Sequence, residues 1–248
     1  MNRCRLPAIN PLLAFAALLC LTGGAQAIEF SAVQHAGTGF TVIKVDPGKD
    51  KLHLFPAECD DRRHLGFANL NARLADRGQK LRFAMNAGMF ETNLAPVGLL
   101  VADGVKVAPI NLSSGFGNFY LKPNGVFLVA NGSAHIVSSP DYVQSDEVTL
   151  ATQSGPLLLR DGVINTRFDP ASSSKLIRNG VGITAKGEVV FAISEGKVNF
   201  HDFAALFRDE LHCTDALYLD GSVSSLYAPE LGRNDNKSRI GPIIGVLE

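Results

Sequence analysis

Apolar residues in this chain alternate or run in short blocks, and only two stretches keep a helical period. Phe40 to Val45 and Leu52 to Phe55 are rich in β-branched and aromatic residues and read as strands. Phe67, Leu70 and Leu74 fall at helical spacing, which predicts an amphipathic helix ending near Gly78. Leu81, Phe83 and Met85 alternate, as one buried strand face does. Hairpins dominate from there. Val97 to Val107 contains Asp103-Gly104, and Leu157 to Ile164 contains Asp161-Gly162. Phe119 to Val137 has turn signals at Pro123-Asn124-Gly125 and at Asn131-Gly132. Asp-Gly and Asn-Gly suit tight hairpin turns because these residues tolerate positive φ. Val181 to Ile193 predicts two more strands around Lys186-Gly187. A second helix follows, with Asn199 as N-cap candidate and Phe203, Leu206, Phe207 and Leu211 on one face. Ala216 to Leu219 reads as a short buried strand, and Ile243 to Leu247 as the last. The expected fold is α+β: a single strand-rich domain of mixed or antiparallel sheet hairpins with two principal helices.

The first residues form a different unit. Arg3 and Arg5 precede the apolar run Leu12 to Leu21, and Ala25-Gln26-Ala27 follows. A basic start, a short apolar run and an A-x-A site predict a signal peptide over 1–27 and a domain over 28–248. The run is about half of the ~20 residues a membrane span needs, so no span is expected after cleavage. The expected location is periplasmic or secreted. Cys4 and Cys20 leave with the signal, and Cys59 and Cys213 remain for an oxidising compartment. A disulfide between them is the economical expectation; two separate buried thiols are the alternative.

Composition narrows the function classes. At 46% hydrophobic and 19% charged, the chain has material for a real core and is not a disordered one. Losing Arg3 and Arg5 takes 23 basic side chains to 21 against 24 acidic, so the net charge moves from −1 to −3. That balance argues against nucleic-acid binding through phosphates. The absence of Trp removes the commonest flat platform for sugars. No H-E-x-x-H, G-x-x-x-x-G-K-[ST] or G-x-S-x-G occurs, and Gly115-Phe116-Gly117 lacks the rest of a dinucleotide fingerprint. No cofactor is expected. A divalent cation held by Asp220, Asp235 and nearby Asn oxygens stays open. Oligomeric state is not readable.

Four polar clusters sit beside glycines at expected strand ends: Asn86-Ala87-Gly88, Gln153-Ser154-Gly155-Pro156, Arg178-Asn179-Gly180 and Asp220-Gly221-Ser222-Val223-Ser224-Ser225. Such positions let a rigid scaffold present side chains and backbone N–H donors to a ligand. Each is also ordinary turn chemistry. Asp220 follows a strand without alternation, so its carboxylate should lie at the core's edge and need a use or a partner there, Arg178 being one candidate.

These motifs carry a resemblance. Asn86 to Phe90, Pro96-Val97-Gly98-Leu99, Gly117-Asn118-Phe119, Asn124-Gly125-Val126-Phe127, Gln153 to Pro156, Arg178 with Gly182-Ile183, and Leu219-Asp220-Gly221-x-x-Ser224-Ser225 are similar to the phosphodiester glycosidase family. The likeness covers roughly residues 40 to 248 in order, and Leu226-Tyr227-Ala228-Pro229 points to the family's exported bacterial branch. Ser222-Val223 after Gly221, and Leu176-Ile177 before Arg178, depart from the animal uncovering-enzyme branch.

The resemblance implies hydrolysis of a small-molecule or glycan sugar 1-phosphodiester at the anomeric C–O bond. A phosphate monoester leaves far more easily than an alkoxide, so anion stabilisation matters more than leaving-group protonation. On that reading Asp220 is the base or electrostatic stabiliser and Arg178 holds the phosphate. Ser222, Ser224, Ser225 and amides near Gly88, Gly155 and Gly221 assist. Asn86, Asn118 and Gln153 orient sugar hydroxyls, Glu195 is the second-carboxylate candidate, and His201 the spare acid. The alternatives are a non-catalytic binder of cell-envelope glycans or phosphoglycans, and a conventional cell-wall glycosidase built on two carboxylates.

Overall fold

A computed structural model describes residues 28–57, 66–236 and 239–248. The expected signal peptide and Cys59 lie outside the described residues. In chain order come β1 (Glu29–His35), β2 (Thr38–Val45), β3 (Leu52–Phe55), helix α1 (Phe67–Ala75) and β4 (Leu81–Asn86). Next are β5 (Leu100–Ala102), β6 (Val105–Ala108), β7 (Gly125–Ala130), β8 (Ser133–Ser138), β9 (Val148–Ser154), β10 (Leu157–Arg160) and β11 (Val163–Ile164). Then follow β12 (Asn179–Thr184), β13 (Val189–Ser194) and helix α2 (Phe200–Ala205). The last strands are β14 (Cys213–Tyr218), β15 (Leu226–Ala228), β16 (Arg233–Asn234) and β17 (Ile243–Leu247). The result is a single strand-rich α+β domain with two helices, as the pattern predicts.

The strands form three sheets, ordered β1-β2-β13-β12-β14-β10-β11, β16-β15-β4-β17-β3 and β6-β5-β9-β7-β8. Every described ladder is antiparallel. Hairpin chemistry behaves as expected at Asp103-Gly104, Asn131-Gly132 and Asp161-Gly162, where both residues of each pair take positive φ. The Pro123-Asn124-Gly125 signal makes no hairpin. Asn124 is fully buried there and donates to the Phe119 carbonyl at 3.0 Å, which shapes the entry to β7.

The seven-stranded sheet is buried on both faces, and residue parity sorts its side chains. On β2, Ile43 and Val45 join the central core, while Phe40 and Val42 face the other way. On β13, Val189, Phe191 and Ile193 point to the core, and Val190 and Ala192 to the opposite face. The central core gathers Phe83 and Met85 of β4, Leu100 of β5, Phe127 of β7 and Ile244 of β17, so all three sheets meet around it. The far face of the large sheet is covered by α2 through Phe203, and by Phe207 beyond it. Helix α1 packs Phe67, Leu70 and Leu74 on the second sheet.

On β12 the parity is functional. Gly180 and Gly182 face α2, and a Cβ on either would crowd Phe203 or Phe207. Glycine is therefore what lets this helix lie flat on the sheet. The expected continuous helix through Leu211 instead ends at Ala205 and widens into a π turn over Leu206–Glu210, which keeps Leu206 and Phe207 fully buried. Cys213 sits in the same layer as a free, buried thiol, not in the expected bridge. Its sulfur is turned into the packing between Gly182 and Phe207, and burial pushes the thiol up to about 12.

A methyl at position 182 would lie 2.7 Å from both Cys213 Sγ and a Phe207 ring carbon. Gly182→Ala is expected to lower unfolding free energy by about 1–3 kcal/mol, read from the urea midpoint at unchanged m. An unchanged midpoint would show that α2 has room the packing denies.

Candidate active site

The four polar clusters converge at one end of the domain. β4 delivers Asn86, β9 delivers Ser154 and Gly155, β12 begins at Asn179, and β14 runs out into Asp220. Ser154 Oγ donates to the Leu219 carbonyl at 2.6 Å, and the Tyr218 amide donates to the Pro156 carbonyl at 3.1 Å. These bonds bring the ends of β9 and β14 together.

Asn86 and Asn179, 1% and 0% exposed, form a reciprocal amide pair between the second sheet and the large one. Asn86 Nδ2 donates to Asn179 Oδ1 at 3.3 Å, and Asn179 Nδ2 donates to Asn86 Oδ1 at 3.1 Å and to the Asn86 carbonyl at 3.0 Å. The loop after β14 hangs on the two oxygens. Asn179 Oδ1 accepts from the Asp220 amide at 3.3 Å and from Ser224 Oγ at 3.1 Å. Asn86 Oδ1 accepts from the Ser225 amide at 2.8 Å. Ser224 Oγ also reaches the Asp220 carbonyl at 2.7 Å, which closes the loop on itself. Ser225 Oγ donates to the Val223 carbonyl at 2.8 Å. Asn86, Ser224 and Ser225 therefore shape the Asp220 loop through bonds internal to the protein.

Arg178 shares the parity of Gly180 and Gly182 and faces the α2 side. It is 1% exposed, and its guanidinium carbon lies 3.7 Å from the Phe200 ring centroid. Nε donates to the Val198 carbonyl at 2.9 Å and Nη2 to the Ser174 carbonyl at 3.1 Å. Nη1 is buried and has no partner. Among the described residues no carboxylate pairs with Arg178, and burial pulls its pKa down. Register β12–β14 pairs Gly180 with Tyr218. Arg178 and Asp220 both act electrostatically on Tyr218, and they form no ion pair with each other.

Asp220 accepts from the Ser222 amide at 2.9 Å. Burial raises its pKa from 3.8, against the amides of Ser222 and Gly221, which lower it. Gly221 packs where a Cβ would fall 2.0 Å from Tyr218 Oη. Ser222 is exposed at the loop tip. Asn118 opens a 3₁₀ turn (Asn118–Tyr120) beside Gly155, whose own Cβ would meet the carbonyls of Phe119 and Asn118.

Other expected site residues fall into different roles. Gln153 is 1% exposed and fully engaged: Oε1 accepts from the Leu99 and Asn111 amides, and Nε2 donates to the Asn111 carbonyl and Ser139 Oγ. It anchors the strap that leads to Asn118. Gly88 is demanded by close approach to Thr152 and Gln153. Glu195 is half exposed, and it binds Arg233 Nη1 at 2.5 Å and Thr41 Oγ1 at 2.6 Å. His201 lies 3.6 Å from Asp202. No cluster of three His, Cys, Asp or Glu side chains able to hold a cation occurs among the described residues. Asp235 is taken by Arg233 at 3.0 Å and the Leu226 amide at 3.0 Å. A cavity of about 180 Å³ lies at the other end of β9, against Lys51, Leu54, Thr149 and Leu150, away from these groups.

The sequence reading passed over Asn179, Tyr218 and Phe200 as site residues. Asn179 had a signal, as the one polar side chain on the core-facing parity of an apolar strand. Tyr218 and Phe200 had none, because aromatic residues in buried elements read as core.

The three-sheet domain has known counterparts. A family model described as phosphodiester glycosidase matches residues 79–247. The uncharacterized protein YigE of Escherichia coli (strain K12) is 37% identical over 216 residues, covering 86% of this chain and 84% of that one. The chain belongs to the phosphodiester glycosidase family. The catalytic domain of zebrafish N-acetylglucosamine-1-phosphodiester α-N-acetylglucosaminidase, auto-inhibited by its pro-peptide, shares the fold at TM-score 0.62 and 16% identity, over 89% of this chain and 82% of that one. A hypothetical protein from Synechocystis does so at TM-score 0.56 and 16% identity, over 89% and 61%.

Two outcomes follow from the geometry. Asn179→Leu strands the polar groups of Asn86, Ser224 and the Asp220 amide, and should cost about 2 kcal/mol or more in denaturant unfolding. Stability within 0.5 kcal/mol of wild type, a span of about the size seen for neutral surface changes, would refute the network's role. Because Asp220 has a raised folded-state pKa, its ionised form weakens the fold at neutral pH, and this cost disappears below 3.8, where the carboxyl is neutral in both states. Asp220→Asn should therefore raise the melting temperature at pH 7, with the gain shrinking to nothing as the pH falls below 3.8. A gain that grows toward acid would reverse the assignment.

Proposed function

We propose that this protein is an exported hydrolase that cleaves the anomeric C–O bond of a sugar 1-phosphodiester. The observation that carries the reading is Arg178: a buried guanidinium with one unpartnered nitrogen and no carboxylate of its own, beside Tyr218, on which the half-buried Asp220 also acts. A buried cation without a counter-charge is costly unless a ligand supplies the anion. A phosphodiester supplies it and places its sugar carbon toward Asp220.

Arg178 holds the phosphoryl oxygens through Nη1, while stacking on Phe200 and two backbone carbonyls keep the guanidinium from turning away. Asp220 takes a proton from the attacking water, or stabilises positive charge at the anomeric carbon as the bond lengthens. Water's oxygen bonds to that carbon, the C–O bond breaks, and its electron pair leaves with the phosphate monoester. A leaving group of that quality needs little protonation, which suits a site whose second-carboxylate candidate, Glu195, is engaged by Arg233. Asn118 and the Gly155 and Gly221 backbones border the space the substrate would take, with Ser222 at its rim. Residues 1–27 serve as the export signal and 28–248 as the mature domain.

The test is turnover of a panel of sugar 1-phosphodiesters by the mature protein. Asp220→Asn should lower kcat by about a hundredfold or more with folding intact, whereas Glu195→Gln should change it less than about threefold. Equal losses in both variants would instead support a two-carboxylate glycosidase. Calorimetric binding across the panel without any product would make the protein a binder.

A further inference from the structure

Four buried side-chain polar atoms among the described residues lack a partner, and two of them are neighbours: Arg178 Nη1 and Tyr218 Oη. Tyr218 is fully buried at the end of β14, on the face that carries Arg178. The two side chains share Phe200. Arg178 lies over its face at 3.7 Å, and Tyr218 meets it edge-on at 4.8 Å between centroids and 88° between planes. The guanidinium carbon is 5.4 Å from the Tyr218 ring centroid. Arg178 and Asn118 are both polar neighbours that act on the hydroxyl, at approaches short of full hydrogen-bond geometry. Glycine at 221 keeps the hydroxyl uncovered, since a Cβ there would sit 2.0 Å from it.

A buried hydroxyl normally finds an acceptor, and leaving it without one weakens the fold. Arg178 and Asn118 act on the hydroxyl, yet neither gives it a full hydrogen bond. Both orphan groups are donors: the guanidinium has no acceptor capacity, and burial holds the hydroxyl protonated, with its pKa pushed up to about 12. Two adjacent unsatisfied donors shielded from solvent match the non-bridging oxygens of a phosphoryl group.

We propose that Tyr218 Oη and Arg178 Nη1 together form a two-donor seat for the phosphoryl group, each donating to a different non-bridging oxygen. This rests on the function proposed above and adds Tyr218 as a substrate-contacting residue. The seat should also hold a simple phosphate anion, because neither donor touches the sugar.

Titration of the mature protein with inorganic phosphate, by calorimetry and by thermal shift, tests it. Wild type should bind phosphate and Arg178→Met should lose binding. Tyr218→Phe should bind about tenfold more weakly, one charge-assisted hydrogen bond being lost. Without phosphate, Tyr218→Phe should melt no lower than wild type, because its buried hydroxyl makes no full hydrogen bond in the free protein. Wild-type affinity in Tyr218→Phe, a lowered melting temperature of its ligand-free form, or no phosphate binding by wild type would each overturn the seat. Phosphate binding with the expected variant pattern but no sugar-phosphodiester turnover would uphold the seat and sink the hydrolase reading alone.

Discussion

The reciprocal amide pair of Asn86 and Asn179 is the interaction on which the site end of the domain depends. It joins β4 of one sheet to β12 of another inside a layer that is otherwise apolar. Low surrounding polarity strengthens such bonds and makes any unpaired member expensive. The pair also offers its two oxygens to the loop after β14, so the path of Asp220 to Ser225 is set by a contact 93 residues apart in sequence. Packing of the three sheets and placement of the aspartate are thus one event.

Strand parity then divides the labour on β12. Core-facing Asn179, Val181 and Ile183 hold the sheets together. On the opposite face, Arg178, Gly180 and Gly182 meet Phe200, Phe203 and Phe207 in turn. The same row that lets the helix dock also carries the arginine to the sheet's edge, under an aromatic ring. The proposed site sits where the regular sheet stops and side chains leave the strand ladder.

Charge is handled differently at the site and elsewhere. Surface ions are paired: Glu195 with Arg233, Arg82 with Glu230, Lys80 with Glu248. Such pairs contribute little each. At the strand ends a buried arginine and a half-buried aspartate are both disfavoured in their charged forms and not joined to each other. That arrangement lowers stability in the free protein and is the kind of cost that functional sites carry. Membership in the phosphodiester glycosidase family agrees with the proposal that this site receives an anion.

Much of the fold was legible in the chain. Alternation at Leu81-Phe83-Met85, helical spacing at Phe67-Leu70-Leu74 and the Asp-Gly and Asn-Gly turns are local features with local physical causes, and each became the element it predicts. Short weak strands such as β1 and β16 escaped because pairing, not propensity, makes them strands. The glycine-flanked polar clusters come together at one end of the domain, but their sequence does not say which side chains are engaged within the protein. Asn86 and Gln153 carry the same groups whether they bind sugar or staple loops, and only their partners decide it. Tyr218 reads as core until the structure shows its hydroxyl unpartnered beside Arg178. The sequence by itself determined the periods, turns and family motifs, because those depend on neighbours along the chain. Only the tertiary structure decided which polar groups are satisfied and which are left for a ligand, because hydrogen-bond satisfaction depends on partners the chain brings from far away.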